Sequence, residues 1–334
     1  MQRNFDPIVR NPHLLTIAGN FWPRKVDAVR FSPQRREYQV DARNRIVVIA
    51  HQPVEQPAGH IVLLHGLEGS SNAGYIISLS QHALEHGFAV HRVNHRSCGE
   101  SETLCEGSYH SGLTSDARTI IEALRDRDPV PIFLVGFSLG GNVALKLGGE
   151  LGQTDLLAGI CAVSTPIDLA ACVRAMDKAS NRFYTKRFVS RLRARVQRKS
   201  RTYPQLYDAA RLRGVKTIWQ FDDAFTAPLF GFGTAESYYA TQSAARYLDS
   251  IRVPTLVICS KDDPMVPFEI YNHPAFDENP YLTLLATEHG GHLGFLSRKK
   301  PRFWLDSIIL DWIAERSAQQ SRGNVTRMAE TGVS

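Results

Sequence analysis

The chain of 334 residues contains no apolar run of the roughly 18 residues that a membrane-spanning helix needs. Its five cysteines are an odd number and include no Cys-x-x-Cys pair, which argues against a disulfide framework and a thiolate zinc site. This cysteine usage favours a reducing compartment. No apolar run follows residues 1–7, so we expect no secretory signal and a cytoplasmic protein.

Cofactor motifs are missing as well. There is neither a phosphate-binding loop nor a Gly-x-Gly-x-x-Gly sequence, so we expect no cofactor. His91 and His95 are four residues apart, but they lie on and just after a predicted strand without a third ligand at a suitable spacing, so we expect no metal. No nucleic-acid-binding module accompanies the basic residues, and we expect no nucleic-acid partner.

Positive charge is concentrated in one segment. The chain has 39 Lys and Arg against 33 Asp and Glu, a net charge of +6. Residues 174–213 hold 13 Lys and Arg but only two Asp, a charge of +11, so the rest of the chain carries −5. This segment is either a solvated helical face or a transient patch for anionic lipid headgroups, since each Lys or Arg near an anionic surface adds about 1 kcal/mol.

Short apolar runs alternate with amphipathic segments along most of the chain. The runs have the length of buried strands, and the segments between them have helical spacing. This alternation predicts an α/β fold in which helices flank a mostly parallel central sheet, preceded by a hairpin. The predicted strands lie at 39–42, 46–50, 61–64, 88–93, 132–135, 156–163, 255–259 and 281–286, and the predicted helices at 75–86, 114–127, 140–151 and 301–316.

Two further segments interrupt or follow this pattern within a single predicted domain, residues 1–334. Residues 165–251, between the sixth and seventh predicted strands, are expected to form a helical cap insert. Residues 317–334 are small and polar, and we expect them to be frayed. The aromatic residues of the insert could line an acyl pocket or form a small core of their own: Trp219, Phe221, Phe225, Phe230, Phe232, Tyr238 and Tyr239.

Residues 1–36 show no regular pattern and are predicted to form an irregular arm. They contain large apolar side chains, among them Leu14, Leu15, Phe21 and Trp22. Because such groups favour burial, we expect the arm to lie over the domain with these side chains covered.

A serine nucleophile is predicted at Ser138. It lies in Gly136-Phe137-Ser138-Leu139-Gly140, which follows an apolar run and precedes a predicted helix. In a Gly-x-Ser-x-Gly elbow the serine occupies a strained turn between strand and helix, and small residues two positions away let the backbones approach. The helix N-terminus then favours developing negative charge.

A serine hydroxyl needs a base, and the base needs a carboxylate to orient it. In folds that carry such an elbow, the three residues follow one another along the chain in the order Ser, then Asp or Glu, then His. Asp262 and Asp263 follow a predicted strand, and we favour Asp263 because it lies further past the strand end. His289 and His292 follow the last strand, and we favour His292 because two glycines directly precede it.

An oxyanion hole is predicted from two backbone amides. One is the amide of Leu139, directly after the serine, and the other is that of Leu67 in the loop His65-Gly66-Leu67-Glu68-Gly69. Gly66 lets this loop turn its amides inward. We expect the His65 side chain to have a structural role.

Together these motifs resemble the alpha/beta-hydrolase superfamily, and within it the branch of bacterial YheT-like hydrolases and animal abhydrolase-domain lipases. The resemblance implies that Ser138, Asp263 and His292 occupy the charge-relay positions, and that the activity is hydrolysis of carboxylic esters, including acylglycerols. It covers nearly the whole chain and rests on the segments at 11–16, 65–70, 94–99, 109–112, 222–228, 238–239 and 290–296.

Three functions are compatible with this pattern. The first is a serine hydrolase that cleaves short- or medium-chain acyl esters or acylglycerol lipids through an acyl-enzyme. The second is an acyltransferase on the same fold, which the sequence does not separate from the first because the triad is the same. The third is a lipid-binding protein with an inactive site, which the intact triad and oxyanion loop disfavour.

Overall fold

A computed structural model describes the backbone of residues 5–331 and the side chains of residues 5–318. Within this part of the chain the strands are β1 (Gln34–Asp41), β2 (Asn44–His51), β3 (His60–Leu64), β4 (Ala89–Val93), β5 (Ile132–Phe137), β6 (Gly159–Val163), β7 (Thr255–Ser260) and β8 (Leu282–Thr287). They form one sheet in the order β1-β2-β4-β3-β5-β6-β7-β8. Pairs β1–β2 and β2–β4 are antiparallel and the other pairs are parallel, so the predicted mostly parallel sheet is confirmed.

The central strands are apolar on both faces because both faces are covered. In β3, Val62 and Leu64 belong to the core on one side of the sheet, and Ile61 and Leu63 to the core on the other side. Side chains alternate across a strand, so a continuous apolar run supplies both cores at once.

The helices are α1 (Pro12–Phe21), α2 (Gly74–Glu85), α3 (Ser115–Arg127), α4 (Leu139–Leu151), α5 (Leu169–Met176), α6 (Arg182–Thr202), α7 (Ile218–Phe221), α8 (Ala227–Leu229), α9 (Ala235–Gln242), α10 (Ala275–Glu278) and α11 (Trp304–Thr331). A π-helix, Asp222–Thr226, joins α7 to α8. Helices α2 and α11 contribute to one core, and α3, α4 and α6 to the other. In residues 5–331, each helix is either too short or too polar to pass through a lipid bilayer.

The last helix differs from its prediction at both ends. It begins at Trp304 instead of residue 301, because the Ser297 amide donates to the carbonyl of Arg302 and Leu296 forms a bridge with Phe303. It continues to Thr331, so residues 317–331, which we expected to be frayed, are helical. Residues 332–334 lie outside the described residues.

The arm also departs from its prediction, because residues 12–21 form helix α1. The Asn11 side chain caps it by accepting from the Leu14 amide at 3.1 Å, and a proline occupies its first position. Leu15 is fully buried as expected, but Leu14 is 54% exposed and Phe21 is 64% exposed. Trp22 is also partly exposed, at 37%. The expectation that these three side chains are covered was wrong, because only one face of α1 contacts the domain.

The segment between β6 and β7 is helical and holds α5 to α9. Its longest element is α6, and α6 packs against α5 and α7. Side chains of α5, α6 and α7 belong to the same core as α3 and α4, so these helices pack on one side of the sheet.

Candidate active site

The predicted site residues meet at one edge of the sheet because each follows the carboxyl end of a parallel strand. Ser138 follows β5, Asp263 follows β7 and His292 follows β8. Leu67 lies in the loop after β3, which pairs directly with β5. In sheets of this kind ligands bind outside these strand ends.

Ser138 occupies the predicted elbow. Its φ of +53° is a strained conformation for a non-glycine residue, and its amide donates to the Val163 carbonyl at 2.8 Å. A Cβ atom at Gly136 would overlap the backbone of Gly140, and a Cβ at Gly140 would overlap the backbone of Leu64. The small residues therefore let the turn close tightly enough to present the serine at the strand end.

The three predicted triad side chains form one chain of contacts. The Nε2 atom of His292 lies 3.0 Å from Ser138 Oγ, and its Nδ1 atom lies 2.9 Å from Asp263 Oδ2. The other oxygen of Asp263 accepts the amides of Met265 and Val266 at 2.8 and 3.1 Å. The carboxylate is therefore fixed on both sides, and it orients the imidazole toward the serine.

The neighbouring candidates form a separate pair. Asp262 Oδ2 lies 3.0 Å from Nδ1 of His289, and its Oδ1 accepts the Gly291 amide at 2.9 Å. The structure thus places Asp263, not Asp262, against His292. Asp262 instead holds the loop that carries the histidine.

Residues 65–69, which we call the oxyanion loop, approach the serine closely. A Cβ atom on Gly66 would lie 3.1 Å from the Cβ of Ser138. In the described part of the chain, neither the Leu67 nor the Leu139 amide donates to another protein group, and both residues line the cavity beside Ser138. Two unused N–H donors beside a nucleophile are what a developing oxyanion requires.

The oxyanion loop is supported from behind by neutral polar groups. His65 Nδ1 lies 2.7 Å from the Gly66 carbonyl, and His65 Nε2 accepts the His95 amide at 3.2 Å. Burial, together with the His95 ring, lowers the pKa of His65 well below its ordinary value, so the ring is neutral. The Gly66 amide donates to the Tyr75 hydroxyl at 3.0 Å, and burial raises the pKa of Tyr75 to about 12. These contacts fit the structural role expected of His65.

Sequence reasoning missed one residue that contacts the histidine loop. The hydroxyl of Thr16, on α1, accepts the backbone N–H of His292 at 2.9 Å and donates to the Pro12 carbonyl at 2.7 Å. A Cβ atom at Gly291 would lie 2.5 Å from that carbonyl, so α1 packs directly on the loop. The segment at 11–16 can be recognised in the sequence as a motif. Its contact with His292, which lies 276 residues from Thr16, cannot be recognised there.

Two spaces meet at Ser138 and His292. The inner cavity, of about 110 Å³, is mostly apolar and is walled by the insert, with Leu169, Met176, Leu192 and Ile218 among its lining residues. The outer cleft, of about 500 Å³, has a lining of mixed polar and apolar character and lies between α1, the oxyanion loop and α6. Ser138 and His292 thus lie where a small, mostly apolar space meets a larger one of mixed polarity.

The aromatic residues of the insert serve both roles considered from the sequence, and some serve neither. Tyr238 and Tyr239 line the inner cavity and also form a small core of the insert, against which Trp219 and Phe232 pack. Phe221 and Phe225 instead lie in the main core. The carboxyl of Asp222 also lines the cavity, where the hydroxyls of Thr226 and Tyr239 donate to it. Burial raises the pKa of Asp222 to about 6.

The basic segment is only partly a solvated face. Arg195 and Lys199 of α6 are buried, and Arg198 pairs with Glu102. Arg193 donates to two backbone carbonyls. The exposed basic side chains are Arg174, Lys178, Arg182, Lys186, Arg191, Arg198, Arg201, Arg211 and Arg213.

His91 and His95 contact different partners. His91 Nε2 lies 3.1 Å from His60 Nδ1, and His95 contacts His65. Among the residues that the structure describes, no three His, Cys, Asp or Glu side chains are grouped as metal ligands would be.

Comparisons with known proteins agree with this architecture. Residues 59–299 match a protein family whose description is "alpha/beta hydrolase fold". The YheT protein of Escherichia coli (strain K12), a candidate esterase by name, is 33% identical over 310 residues, covering 91% of this chain and 90% of that protein. The monoacylglycerol lipase of Saccharomyces cerevisiae is 29% identical over 253 residues, covering 73% of this chain and 56% of the yeast enzyme.

A solved structure is similar in fold. An esterase of Pyrococcus furiosus, Pf2001, superposes with a TM-score of 0.56 at 18% identity, covering 88% of this chain and 98% of that one. At this identity the likeness concerns the arrangement of strands and helices alone.

Proposed function

Because this chain belongs to the alpha/beta hydrolase family, we propose that it is a serine hydrolase that cleaves carboxylic esters through an acyl-enzyme. The observation that carries the proposal is the contact chain from Ser138 Oγ through His292 to Asp263, at 3.0 and 2.9 Å. It lies beside two unused backbone amides, which is the arrangement that acyl transfer requires. The relationship to a yeast monoacylglycerol lipase supports esters as the substrate class.

In the first half of the reaction, Ser138 Oγ attacks the ester carbonyl carbon while His292 Nε2 takes the hydroxyl proton. The carbonyl oxygen becomes an oxyanion, which the amides of Leu67 and Leu139 stabilise. Asp263 stabilises the imidazolium that forms. His292 then gives its proton to the leaving alcohol as the ester C–O bond breaks, which leaves the acyl group on Ser138.

In the second half, water takes the place of Ser138 as the nucleophile and the same proton transfers occur. His292 takes a proton from water, and the resulting hydroxide attacks the acyl-enzyme carbonyl. The second tetrahedral intermediate expels Ser138, to which His292 returns the proton, and the carboxylic acid leaves. Among the protein groups, only Ser138 and His292 have to transfer a proton.

The shapes of the two spaces support an assignment of the ester's halves. We place the acyl chain in the inner cavity, of about 110 Å³, and the alcohol portion in the outer cleft. A cavity of about 150 Å³ accommodates a benzene ring, so the inner cavity suits an acyl chain of about four carbons. The larger cleft suits a bulky alcohol such as a glycerol derivative.

The mouth of the outer cleft supports a lipid surface as partner. Phe21 and Phe183 line the cleft and are each 64% exposed, and the exposed Ile17 lies beside them. The Arg187 guanidinium lies 5.5 Å from the centre of the Phe21 ring. Exposed apolar groups beside basic side chains favour an anionic lipid surface, because the rings enter the headgroup region while the cations contact phosphates.

The function is tested by initial rates on p-nitrophenyl and glycerol esters with acyl chains of 2 to 12 carbons. We expect the highest kcat/KM near four carbons and a steep fall at 10 to 12. Failure to cleave any ester would contradict the function, whereas a preference for long chains would contradict only the placement of the acyl chain. Adding an alcohol to the assay tests the acyltransferase alternative, since a transferase forms the new ester in preference to the acid.

A further inference from the structure

Glu68, the residue after Leu67, is held by side chains from two other segments. Its carboxylate forms an ion pair with Arg195 of α6, and both side chains are buried. The Tyr109 hydroxyl donates to the same carboxylate oxygen at 3.2 Å and accepts the Glu68 amide at 2.8 Å. Arg191, about one helical turn before Arg195, donates to the Glu68 carbonyl at 3.2 Å.

These contacts hold a strained part of the oxyanion loop. Glu68 has a φ of +55°, a conformation that costs a non-glycine residue energy and persists only where its surroundings enforce it. The guanidinium of Arg195 also lies 4.9 Å from the centre of the Tyr109 ring, and that ring stacks on His95 at 5.3 Å. The triad does not use any of these groups, although Glu68, His95 and Tyr109 come from three of the motifs recognised in the sequence.

We propose that Arg195 and Glu68 are positioning residues, whose ion pair ties helix α6 of the insert to the oxyanion loop and holds the Leu67 amide where the oxyanion forms. This inference rests on the proposed function. Arg195 acts through Glu68 and transfers no proton to or from the substrate. The site is then complete only while α6 is seated on the loop, because moving the helix away would separate the two buried charges.

The pair has a matched control on the same helix. Arg198 lies three residues further along α6, pairs with Glu102 and is exposed, so its ion pair does not involve the oxyanion loop. Arg195→Met and Arg198→Met thus each remove one cation and one ion pair. Only the first should disturb the Leu67 amide.

The test compares kcat and KM of these variants on a soluble short-chain ester. Loss of one oxyanion donor lowers kcat by about 10²- to 10³-fold, so partial displacement should lower kcat of Arg195→Met about 30- to 300-fold with KM within threefold. Affinity for an alkylboronic acid, which forms a tetrahedral anionic adduct with the serine, should fall in proportion to kcat. Arg198→Met should stay within twofold of the parent in all three quantities.

A second set of variants separates positioning from folding. The double variant Glu68→Gln with Arg195→Met leaves no unpaired charge buried, and we expect it to fold and to remain slow. In Arg195→Ala, millimolar guanidinium ion should restore part of the lost kcat by occupying the vacated site, which a general loss of stability would not allow.

Two results would overturn the inference. One is a folded Arg195→Met variant whose kcat is within threefold of the parent. The other is a rise in KM with kcat unchanged, which would mean that Arg195 only lines the inner cavity. A parent protein that cleaves no ester would instead overturn the proposed function itself, so the two failures are distinguishable.

Discussion

The hydroxyl of Thr16 and the backbone N–H of His292 are joined by a 2.9 Å hydrogen bond across 276 residues of sequence. Thr16 is buried on α1, and its hydroxyl donates onward to the Pro12 carbonyl at 2.7 Å. The arm therefore does more than cover the domain. It fixes the backbone of the residue that contacts both Ser138 and Asp263.

Thr16→Val should slow ester hydrolysis with little effect on KM. The variant keeps the shape of the side chain but leaves the His292 amide without its acceptor, at a cost of about 1–3 kcal/mol. We expect kcat to fall about 2- to 13-fold if half of that cost appears in the transition state. Thr16→Ser, which retains the hydroxyl, is the control, and equal kcat in the two variants would contradict this role.

Asp263→Asn should lower kcat by about four orders of magnitude, because an amide at this position favours the wrong tautomer of the base. Asp262→Asn should cost far less, since Asp262 contacts His289 and the Gly291 amide and not the His292 ring. Steady-state kinetics of the two purified variants provide the comparison. A larger loss in Asp262→Asn would show that the base is oriented by the other carboxylate.

Binding to lipid vesicles should depend on the mouth of the outer cleft. Phe21→Ser with Phe183→Ser should reduce co-sedimentation with anionic vesicles at least tenfold and leave turnover of a small soluble ester nearly unchanged. Val29→Ser with Val54→Ser is the matched control, because these side chains are 97% and 72% exposed and do not line the cleft. Equal loss in both pairs would mean that the cleft mouth is not the lipid-binding surface.

The charge contribution is tested in the same assay at two salt concentrations. Removing the cations around Phe183 with Arg182→Gln, Lys186→Gln and Arg187→Gln should weaken binding to anionic vesicles. Attraction should also fade as salt rises, because the Debye length shortens from about 30 Å at 0.01 M to about 8 Å at 0.15 M. Arg201→Gln, Arg211→Gln and Arg213→Gln together are the control. Equal binding of the parent to anionic and zwitterionic vesicles would contradict the proposal that the cleft mouth binds an anionic lipid surface.

His110 should make the protein less stable in mild acid. Burial, with the charges of Lys146 and Arg96, lowers the pKa of His110 to about 3, and its Nδ1 accepts the Gly112 amide at 3.1 Å. The unfolded chain therefore binds a proton near pH 6.5 that the folded state does not, so this stability is present above pH 6.5 and is lost as pH falls toward 3. At pH 5.5 the loss is about 1.4 kcal/mol.

The measurement is urea unfolding of the parent and His110→Asn at pH 7.5 and 5.5. Asparagine can accept the hydrogen bond of the Gly112 amide but does not titrate. The difference in the free energy of unfolding between the two proteins should therefore change by about 1.4 kcal/mol between these pH values. A difference that stays constant with pH would show that His110 titrates normally in the folded state.

The proposed catalytic groups could be located in the sequence because their signals are local. The glycines around Ser138 permit a turn that the structure contains, and chain order pointed to Asp262 or Asp263 and to His289 or His292 at later strand ends. Continuous apolar runs likewise predicted strands buried on both faces. The start of α1 could also have been found from the sequence, since Asn11 followed by a proline is a helix-start signal.

What sequence reasoning missed depends on contacts between distant segments. The Glu68–Arg195 pair joins residues 127 apart, and nothing in the local pattern of α6 distinguishes its buried Arg195 from the exposed Arg198. The net charge of the basic segment therefore overstated the charge available at the surface. The exposure of Phe21 was missed for the same reason, because burial depends on which face of α1 meets the domain.

The central claim is that Ser138 is the nucleophile of an ester hydrolase. The most direct measurement is labelling of the purified protein with a fluorophosphonate, with mass spectrometry to locate the adduct and ester turnover measured in parallel. We expect one adduct, on Ser138, and loss of both labelling and turnover in Ser138→Ala without loss of the fold. Labelling of another serine, or undiminished turnover in a folded Ser138→Ala variant, would contradict the account.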